Sequence, residues 1–321
     1  MLNVGAQRRF AREKIVHQLE GADLLTIFSI PKAFRGHIGV IQRNAIESWT
    51  HLRPRPEIIL LGNDEGTAEL ARDLGLRHVP QVACNEHGTP LLSDLFRQAE
   101  ARATSDWLCY VNADIMLLSD FAAAFEAVRR QVPKFLMVSK RINMEIPEAL
   151  AFEAGWESGM KTRRDSTGVA RDFKFIDVFV FPKGTYAHVP DFAIGRLWFD
   201  HWLIKAAREQ NLPVVDASLA APVLHQNHDY NHVAGGEEQV WRGEEAERNG
   251  QLYGSVSTSY TLLDVTHKLT PGGAIRRVRF RKPLFRIKRF AWEIFVRRTA
   301  ALRKVLGLRR KFRQPAGHQS S

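Results

Sequence analysis

Short apolar runs alternate with longer segments of helical periodicity through the first half of the chain. Runs such as LLTIFSI at 24–30 and WLCYV at 107–111 have the length and composition of buried strands. Between the runs, Leu91, Leu95 and Ala99 recur four residues apart, as on one face of a helix. The predicted strands cover residues 24–30, 57–61, 76–79 and 107–111, and the predicted helices cover residues 37–52, 67–74, 90–103 and 120–131. This alternation predicts a mostly parallel sheet with crossover helices.

The second half of the chain has a less regular pattern. The run at 173–181 is almost entirely apolar or aromatic, which favours a buried strand. The predicted strands of this half cover residues 134–142, 173–181, 213–216 and 222–225, and the predicted helices cover residues 198–210 and 235–249. Together the two halves predict an α/β fold in which a mostly parallel, Rossmann-like sheet is flanked by helices.

The formal net charge of +11 is concentrated towards the C-terminus. Residues 276–313 contain 16 Lys or Arg and one acid, Glu293, so the rest of the chain is mildly acidic. Apolar side chains recur there at steps of three and four residues, opposite a mainly basic stripe. These apolar positions are Leu284, Ile287, Ala291, Ile294 and Phe295. The spacing predicts a basic amphipathic helix in the tail.

Three interpretations of this tail remain open, and we rank them by how well the aromatic apolar face fits each. An anionic membrane surface comes first, because basic helices with Trp and Phe on the apolar side lie in such interfaces. A helix packed on the catalytic domain comes second. Nucleic-acid binding comes last, although Lys and Arg also neutralise phosphates.

The cysteine content and the absence of long apolar segments predict a cytoplasmic protein. Cys84 and Cys109 are the two cysteines, and neither their number nor their spacing indicates a disulfide framework or a cysteine metal site. The polar residues 1–14 lead into no apolar signal region, and no run approaches the roughly 20 apolar residues that span a bilayer. A peripheral position on the inner face of the membrane is left open by the tail.

Two polar clusters follow predicted strands. Asn63-Asp64-Glu65 follows the second strand, and Asn112-Ala113-Asp114 follows the fourth. In an open parallel sheet, ligands bind beyond the carboxyl ends of the strands. Asn112 and Asp114, one residue apart, can share a divalent cation, since hard cations take oxygen ligands and leave positions for substrate phosphates. Asn and Asp are also common turn formers, so a purely structural turn is the alternative at each cluster.

The residues around the second cluster carry a family resemblance. LCYVNADIMLLSDF at 108–121 resembles the Asp-x-Asp region of GT-A-type glycosyltransferases, and from about Leu24 to Lys268 the chain resembles bacterial family-2-like glycosyltransferases. The segments that carry the wider resemblance are IPKAFRGHIGVIQRNAIESW at 30–49, NEHGTPLLSD at 85–94, DVFVFPKG at 177–184, FAIGRLWFDHWLI at 192–204 and LHQNHDYNH at 224–232. The resemblance implies a GT-A-like catalytic domain over 24–268, between an N-terminal extension (1–23) and the basic tail (269–321).

The resemblance also implies a metal site at the Asp-x-Asp position. Asp114 would hold Mn²⁺ or Mg²⁺ together with the donor diphosphate, and His225 would be a later ligand to the same cation. Asn112 stands where the first Asp of the motif would be, so it brings an oxygen ligand without a charge. His225, His228 and His232 also invite a zinc interpretation, but the intervening Asn and Asp residues favour a loop, and we favour a single histidine beside Asp114.

The remaining implied roles concern the donor and the acceptor. Asp64 would bind the nucleoside, and Asp94 would approach the base or ribose. Arg35, in the loop after the first strand, would meet a donor phosphate, with an ordinary surface charge as the alternative. Asp200 is the candidate acceptor-side base, because an acceptor hydroxyl must lose its proton during transfer. Asp200 could equally be the N-cap of a helix beginning at residue 201.

These expectations define an enzyme that moves a sugar from a nucleotide-diphosphate sugar to a hydroxyl on a glycan or a lipid-linked acceptor, as in polysaccharide biosynthesis. Glycosyl transfer passes through an oxocarbenium-like transition state, and a cation can stabilise the departing diphosphate. A sugar nucleotidyltransferase is the enzymatic alternative, although the chain start lacks a glycine-rich, basic nucleotide loop. A catalytically inactive sugar-nucleotide-binding scaffold at the membrane is the other, and Asn112 keeps it open.

Overall fold

A computed structural model describes residues 25–228, 243–254 and 259–278 of the chain. The N-terminal extension predicted at 1–23, His232, the amphipathic helix of the tail and the first part of the helix predicted at 235–249 lie outside these residues. Within the described ranges, none of the helices combines the length and apolar character needed to cross a membrane.

Twelve strands in the described residues form one connected sheet. The strands are β1 (Thr26–Ser29), β2 (Glu57–Leu61), β3 (Arg77–Val79), β4 (Trp107–Val111), β5 (Ile115–Met116), β6 (Leu136–Met144), β7 (Val169–Ala170), β8 (Ile176–Pro182), β9 (Val214–Asp216), β10 (Val223–Gln226), β11 (His267–Leu269) and β12 (Ile275–Arg277). The main sheet runs in the order β12-β11-β9-β6-β8-β4-β1-β2-β3. Strands β3, β2, β1 and β4 are mutually parallel, whereas β8 runs antiparallel between β4 and β6.

The helices of the described residues connect these strands. They are α1 (Gly36–Thr50), α2 (Thr67–Leu74), α3 (Leu92–Arg102), α4 (Ser119–Arg129), α5 (Trp156–Thr167), α6 (Phe199–Glu209) and α7 (Glu244–Tyr253). In the first half each helix joins two strands, as the alternating pattern of the sequence predicts. The predicted α/β class, with a mostly parallel sheet flanked by helices, is therefore confirmed.

The hydrophobic core lies in two layers, one on each face of the sheet. Neighbouring residues of β1 belong to different layers: Ile27 packs in the layer that holds Trp49 of α1, and Phe28 packs in the layer that holds Phe96 of α3. This division follows from the strand geometry, because successive side chains point to opposite faces. A strand covered by helices on both faces must be apolar at every position, which explains the continuous apolar runs of the sequence.

A short side branch of the sheet gives the site its shape. Strand β10 pairs parallel with β6 and antiparallel with β5, and His225 lies opposite Ile115 in that second pairing. Strand β5 follows β4 after a three-residue turn, so the pairing draws the residues after β4 towards those of β10. Two polar segments that are more than a hundred residues apart in sequence thereby come together.

Four short strands and one helix lie outside the sequence-based predictions. Strands β5, β7, β11 and β12 have two or three residues each, which is too short to show a hydrophobic period. Met160 is the buried residue of helix α5, so the sequence of this helix carries no apolar stripe. Strands β11 and β12 form a hairpin around 270–274, in which Thr270 and Ala274 are linked by a backbone hydrogen bond.

Candidate metal and nucleotide-sugar site

The site begins in the turn that follows β4. The backbone N–H of Ile115 donates to the carbonyl of Asn112 at 3.1 Å, which closes the turn, and the N–H of Asn112 donates to Asp177 of β8 at 3.1 Å. Asp114 lies between these anchored positions. Its carbonyl accepts from the backbone N–H of Gln226 at 3.3 Å. The turn is therefore held from both sides, and the Asp114 side chain is presented at the end of the sheet.

Asp114 forms a compact cluster with two histidines. Its Oδ2 lies 3.1 Å from Nε2 of His228 and 3.6 Å from Nε2 of His225. One ligand atom from each of the three residues can be chosen so that all lie within 4.8 Å of one another. Sequence analysis favoured one histidine beside Asp114, and the structure places two there. The three-residue spacing of His225 and His228 was the available signal.

Two buried atoms of this cluster have no hydrogen-bond partner among the described residues. They are Oδ1 of Asp114 and Nδ1 of His225. Buried polar atoms are nearly always satisfied, and leaving one unpaired costs about 1–3 kcal/mol. Unpaired oxygen and nitrogen atoms in the same cluster are what a cation site requires, because both atom types can ligate a metal.

The electrostatics of the cluster favour the protonation states that bind metals. Burial opposes the ionisation of Asp114, but His225, His228 and Lys32 outweigh it and hold the pKa of Asp114 well below its usual range. Burial lowers the pKa of His225, with Asp114 opposing that effect. Asp114 is thus a carboxylate at neutral pH and His225 a neutral imidazole, which are the forms that coordinate a cation.

The donor set of the cluster fits a divalent cation. Carboxylate oxygens suit Mg²⁺ and Mn²⁺, and imidazole nitrogens suit transition metals, so one carboxylate with two imidazoles favours Mn²⁺ over Mg²⁺. Asp114, His225 and His228 are the residues that would hold it.

Asn112 occupies a different position in the site. Its Oδ1 accepts from the Tyr110 hydroxyl at 3.1 Å, and its Nδ2 donates to Oδ1 of Asp177 at 2.9 Å. Both ends of the amide are therefore held by neighbouring side chains. Asn112 still lines the same cavity as Asp114.

A cavity of about 220 Å³ opens beside the cluster, and Asp200 lines it together with Asp114, His225 and His228. Helix α6 begins at Phe199, so Asp200 lies in its first turn and is not its N-cap. The residue that precedes the helix, Trp198, has a φ of 91°. A non-glycine residue in this region is strained, and such strain is frequent at functional sites. The Oδ1 atom of Asp200 is buried and has no hydrogen-bond partner in the described part of the chain.

Three cationic side chains also line this cavity, and sequence analysis did not single them out. They are Lys32, Arg141 and Arg196. Lys32 is reachable from the cavity but surrounded by protein, and this burial lowers its pKa while nearby Asp114 opposes the change. Arg196 pairs with Glu245 of α7, and Arg141 pairs with Asp177. Lysine and arginine beside acids in one cavity suit a ligand that carries phosphates.

The other predicted donor-binding residues lie outside the residues that line the cavity. Arg35 and Asp64 are exposed, and Arg35 forms an exposed ion pair with Glu65. Asp94 accepts from the backbone N–H of Ala83 at 2.8 Å and from Gln98 at 2.7 Å, so it holds the loop before α3. Their roles in donor binding stay predictions.

Comparison of the sequence with protein-family models and with curated proteins finds no match. Among solved structures, the chain is similar to S. aureus TarS 1–349 in complex with UDP-GlcNAc, at 12% identity and a TM-score of 0.46, covering 65% of this chain and 60% of that one. It is similar to glucosyl-3-phosphoglycerate synthase from Mycobacterium tuberculosis in complex with Mg²⁺ and UDP, at 11% identity and a TM-score of 0.43, covering 71% and 80% of the two chains.

A third similar structure is the mannosyltransferase PcManGT from Pyrobaculum calidifontis in complex with GDP-Man and Mn²⁺. It shares 9% identity at a TM-score of 0.39, covering 64% of this chain and 57% of that one. Similarity of this degree assigns the chain neither a family nor a ligand. The chemistry of the site must therefore be argued from the chain's own residues.

Proposed function

We propose that this protein is a glycosyltransferase that moves a sugar from a nucleotide-diphosphate sugar to a hydroxyl acceptor with the help of a divalent cation. The observation that carries the proposal is the cluster of Asp114, His225 and His228, with its unpaired buried atoms, in one cavity with Asp200. Such a cavity combines a place for a cation with a carboxylate that can act on a substrate.

The donor end of the cavity is defined by the cluster and its cations. Asp114, His225 and His228 would hold Mn²⁺ or Mg²⁺, which supplies a Lewis acid for the charge on the departing nucleoside diphosphate. Lys32 and Arg196 line the same space and are positioned to neutralise phosphate oxygens. Arg35, Asp64 and Asp94 would contact the outer part of the donor from the neighbouring loops.

The acceptor end is defined by Asp200. A carboxylate in the cavity can take the proton of an acceptor hydroxyl as the oxygen attacks the anomeric carbon. The first turn of α6 stabilises the charged form of Asp200, since the helix N-terminus carries partial positive charge. This role corresponds to an inverting transfer, with Asp200 as the general base.

A further part of the proposal concerns where the acceptor lies. The basic tail, predicted to bind anionic membranes, would bring the enzyme to a glycan or lipid-linked acceptor on the cytoplasmic side. Flotation of the full chain with vesicles containing anionic lipid tests this idea. Failure to float with such vesicles, under low-salt conditions, would retire it while leaving the donor site unaffected.

The proposal is tested by thermal unfolding of the full chain against a panel of UDP-, GDP- and dTDP-sugars, each with and without Mn²⁺. A ligand that binds only the folded state stabilises it by about 2.7 kcal/mol at a hundredfold excess over its dissociation constant. We expect one donor class to raise the melting temperature in a Mn²⁺-dependent way, and the rise to disappear in Asp114→Asn.

The outcomes separate the competing functions. Release of nucleoside diphosphate with transfer or slow hydrolysis of the sugar supports the glycosyltransferase. Binding of a donor without any turnover favours the inactive scaffold. Release of pyrophosphate from a nucleoside triphosphate and a sugar phosphate favours a nucleotidyltransferase. A folded protein that responds to no donor contradicts the proposal.

A further inference from the structure

Asn112 and Asp177 are joined side chain to side chain and backbone to backbone. Asn112 Nδ2 donates to Asp177 Oδ1 at 2.9 Å, and the Asn112 N–H donates to the Asp177 carbonyl at 3.1 Å. The contact follows from the antiparallel pairing of β4 with β8, in which Val111 lies opposite Val178. Sheet register thus places a carboxylate directly beside the asparagine of the motif.

Asp177 is held on its other side as well. Its Oδ2 accepts from Arg141 at 3.1 Å, and the Arg141 guanidinium lies 4.7 Å from the centre of the Phe175 ring. The Asp177 side chain is 11% exposed, and it lines the same cavity as Asp114. Asp177 is therefore an oriented carboxylate at the cavity wall.

The charge of Asp177 reaches the cation cluster. Burial lowers the pKa of His225, and both Asp114 and Asp177 act against that effect. The two carboxylates also act on each other, because burial and Asp114 raise the pKa of Asp177 while Arg141 lowers it. A cation bound between Asp114 and the histidines would accordingly experience the Asp177 charge.

We propose that Asp177 supplies the negative charge that an Asp-x-Asp motif places at position 112, with Asn112 and Asp177 acting as a pair. An aspartate at 112 would put two carboxylate groups at hydrogen-bond distance, which is unfavourable without a cation between them. Asn112 avoids this repulsion and links Asp177 to the turn that carries Asp114. This inference rests on the proposed metal-assisted function, and it makes Asp177 a positioning residue for the cation.

Exchanging the two side chains tests the idea with little change of structure. In the double variant N112D/D177N, the new carboxylate at position 112 can accept from Tyr110 and from the new amide at position 177. The oxygen of that amide can in turn accept from Arg141. Each hydrogen bond of the network is then retained while the charge moves from 177 to 112. The single variants N112D and D177N change the charge without this compensation.

The experiment measures Mn²⁺ binding to the metal-free full chain by isothermal titration calorimetry, and melting temperatures in a chelating buffer. Removing a carboxylate that supports metal ligands costs about 10- to 100-fold in affinity, so D177N is expected to lose that much. N112D is expected to melt about 2–4 °C below wild type without metal, and to regain stability with Mn²⁺. The exchange variant is expected to bind Mn²⁺ within about threefold of wild type.

Asp120→Asn is the matched control, because Asp120 pairs with Arg164 at 3.2 Å in a similarly buried setting outside the residues that line the cavity. It should leave Mn²⁺ affinity unchanged. Wild-type affinity in D177N, alongside lost affinity in Asp114→Asn, overturns the role of Asp177 alone. Failure of the exchange variant to restore binding also overturns it, and this arm remains decisive if D177N does not fold. Absence of Mn²⁺ binding in wild type overturns the metal-assisted function itself.

Discussion

Two loops of this protein carry the same kind of sequence at the same edge of the sheet, yet the structure treats them differently. Asn63-Asp64-Glu65 after β2 is exposed, and Glu65 there pairs with the exposed Arg35. The loop after β4 places Asp114 against two histidines, with a buried oxygen that has no hydrogen-bond partner within the described ranges. The first loop is satisfied by solvent and by a surface ion pair, and the second is complete only with a ligand.

The difference comes from what packs against each loop. Strand β10 and strand β8 converge on the loop after β4 and exclude water from it, whereas β3 at the edge of the sheet leaves the loop after β2 open. Burial makes unpaired polar atoms costly, and therefore informative. A polar cluster at a strand end is thus a stronger indication of a binding site when neighbouring strands enclose it.

The largest effect is expected for Asp114→Asn. This change keeps the shape of the side chain and removes the charge at the centre of the buried cluster, so both cation binding and the stabilisation of the departing diphosphate should fail. We expect turnover to fall by at least about 1000-fold, measured as nucleoside diphosphate release at saturating donor. Turnover within tenfold of wild type would mean that the buried loop is not the catalytic one.

Asp200→Asn is expected to separate binding from chemistry. Loss of a general base typically costs about 100- to 10,000-fold in kcat, whereas the donor contacts at the Asp114 cluster remain. Donor affinity, measured by calorimetry, should therefore stay within about twofold of wild type while kcat falls. Full transfer activity in this variant would remove Asp200 from the mechanism.

The histidines of the buried loop should show an intermediate effect. We expect His228→Gln to weaken Mn²⁺ binding about 10- to 100-fold in calorimetric titrations, because it removes a nitrogen next to Asp114. His78→Gln is the control, since His78 is also partly buried but bonds to the carbonyl of Gly62 at 2.8 Å, next to the exposed loop. Equal Mn²⁺ affinity in both variants would indicate that His228 has only a structural role.

The smallest effect is expected in the exposed loop. If Asp64 contacts the nucleoside as proposed, Asp64→Asn removes one solvent-exposed hydrogen bond, which is worth about 1 kcal/mol at most. Donor affinity should fall by about threefold, with Mn²⁺ affinity unchanged, in paired calorimetric titrations. A loss as large as that of Asp114→Asn would contradict the distinction between the two loops.

The comparison also shows which parts of the structure the sequence could predict. Strands β2 and β4 and helix α2 have the predicted bounds, because long apolar runs and clear turn signals mark them. Strand β5 could not be predicted, since two apolar residues have no period. It forms because β10 pairs with it, and that pairing depends on the folded chain.

The site was predictable to a similar extent. The position of Asp114 after a buried strand and the resemblance of the surrounding residues indicated both Asp114 and His225, which the structure brings together. His228 and Asp177 enter through the β10 and β8 pairings, and their proximity depends on register between distant strands. Sequence spacing alone contains no record of that register.

The location of a bound cation tests the central claim most directly. Crystals of the full chain soaked in MnCl₂ and measured near the manganese absorption edge would show the ion by its anomalous scattering. We predict a peak about 2.2 Å from an Asp114 carboxylate oxygen and from a nitrogen of each of His225 and His228. A peak at the exposed Asp64 loop instead, or none at the cluster in crystals where that cavity is open to solvent, would contradict the account.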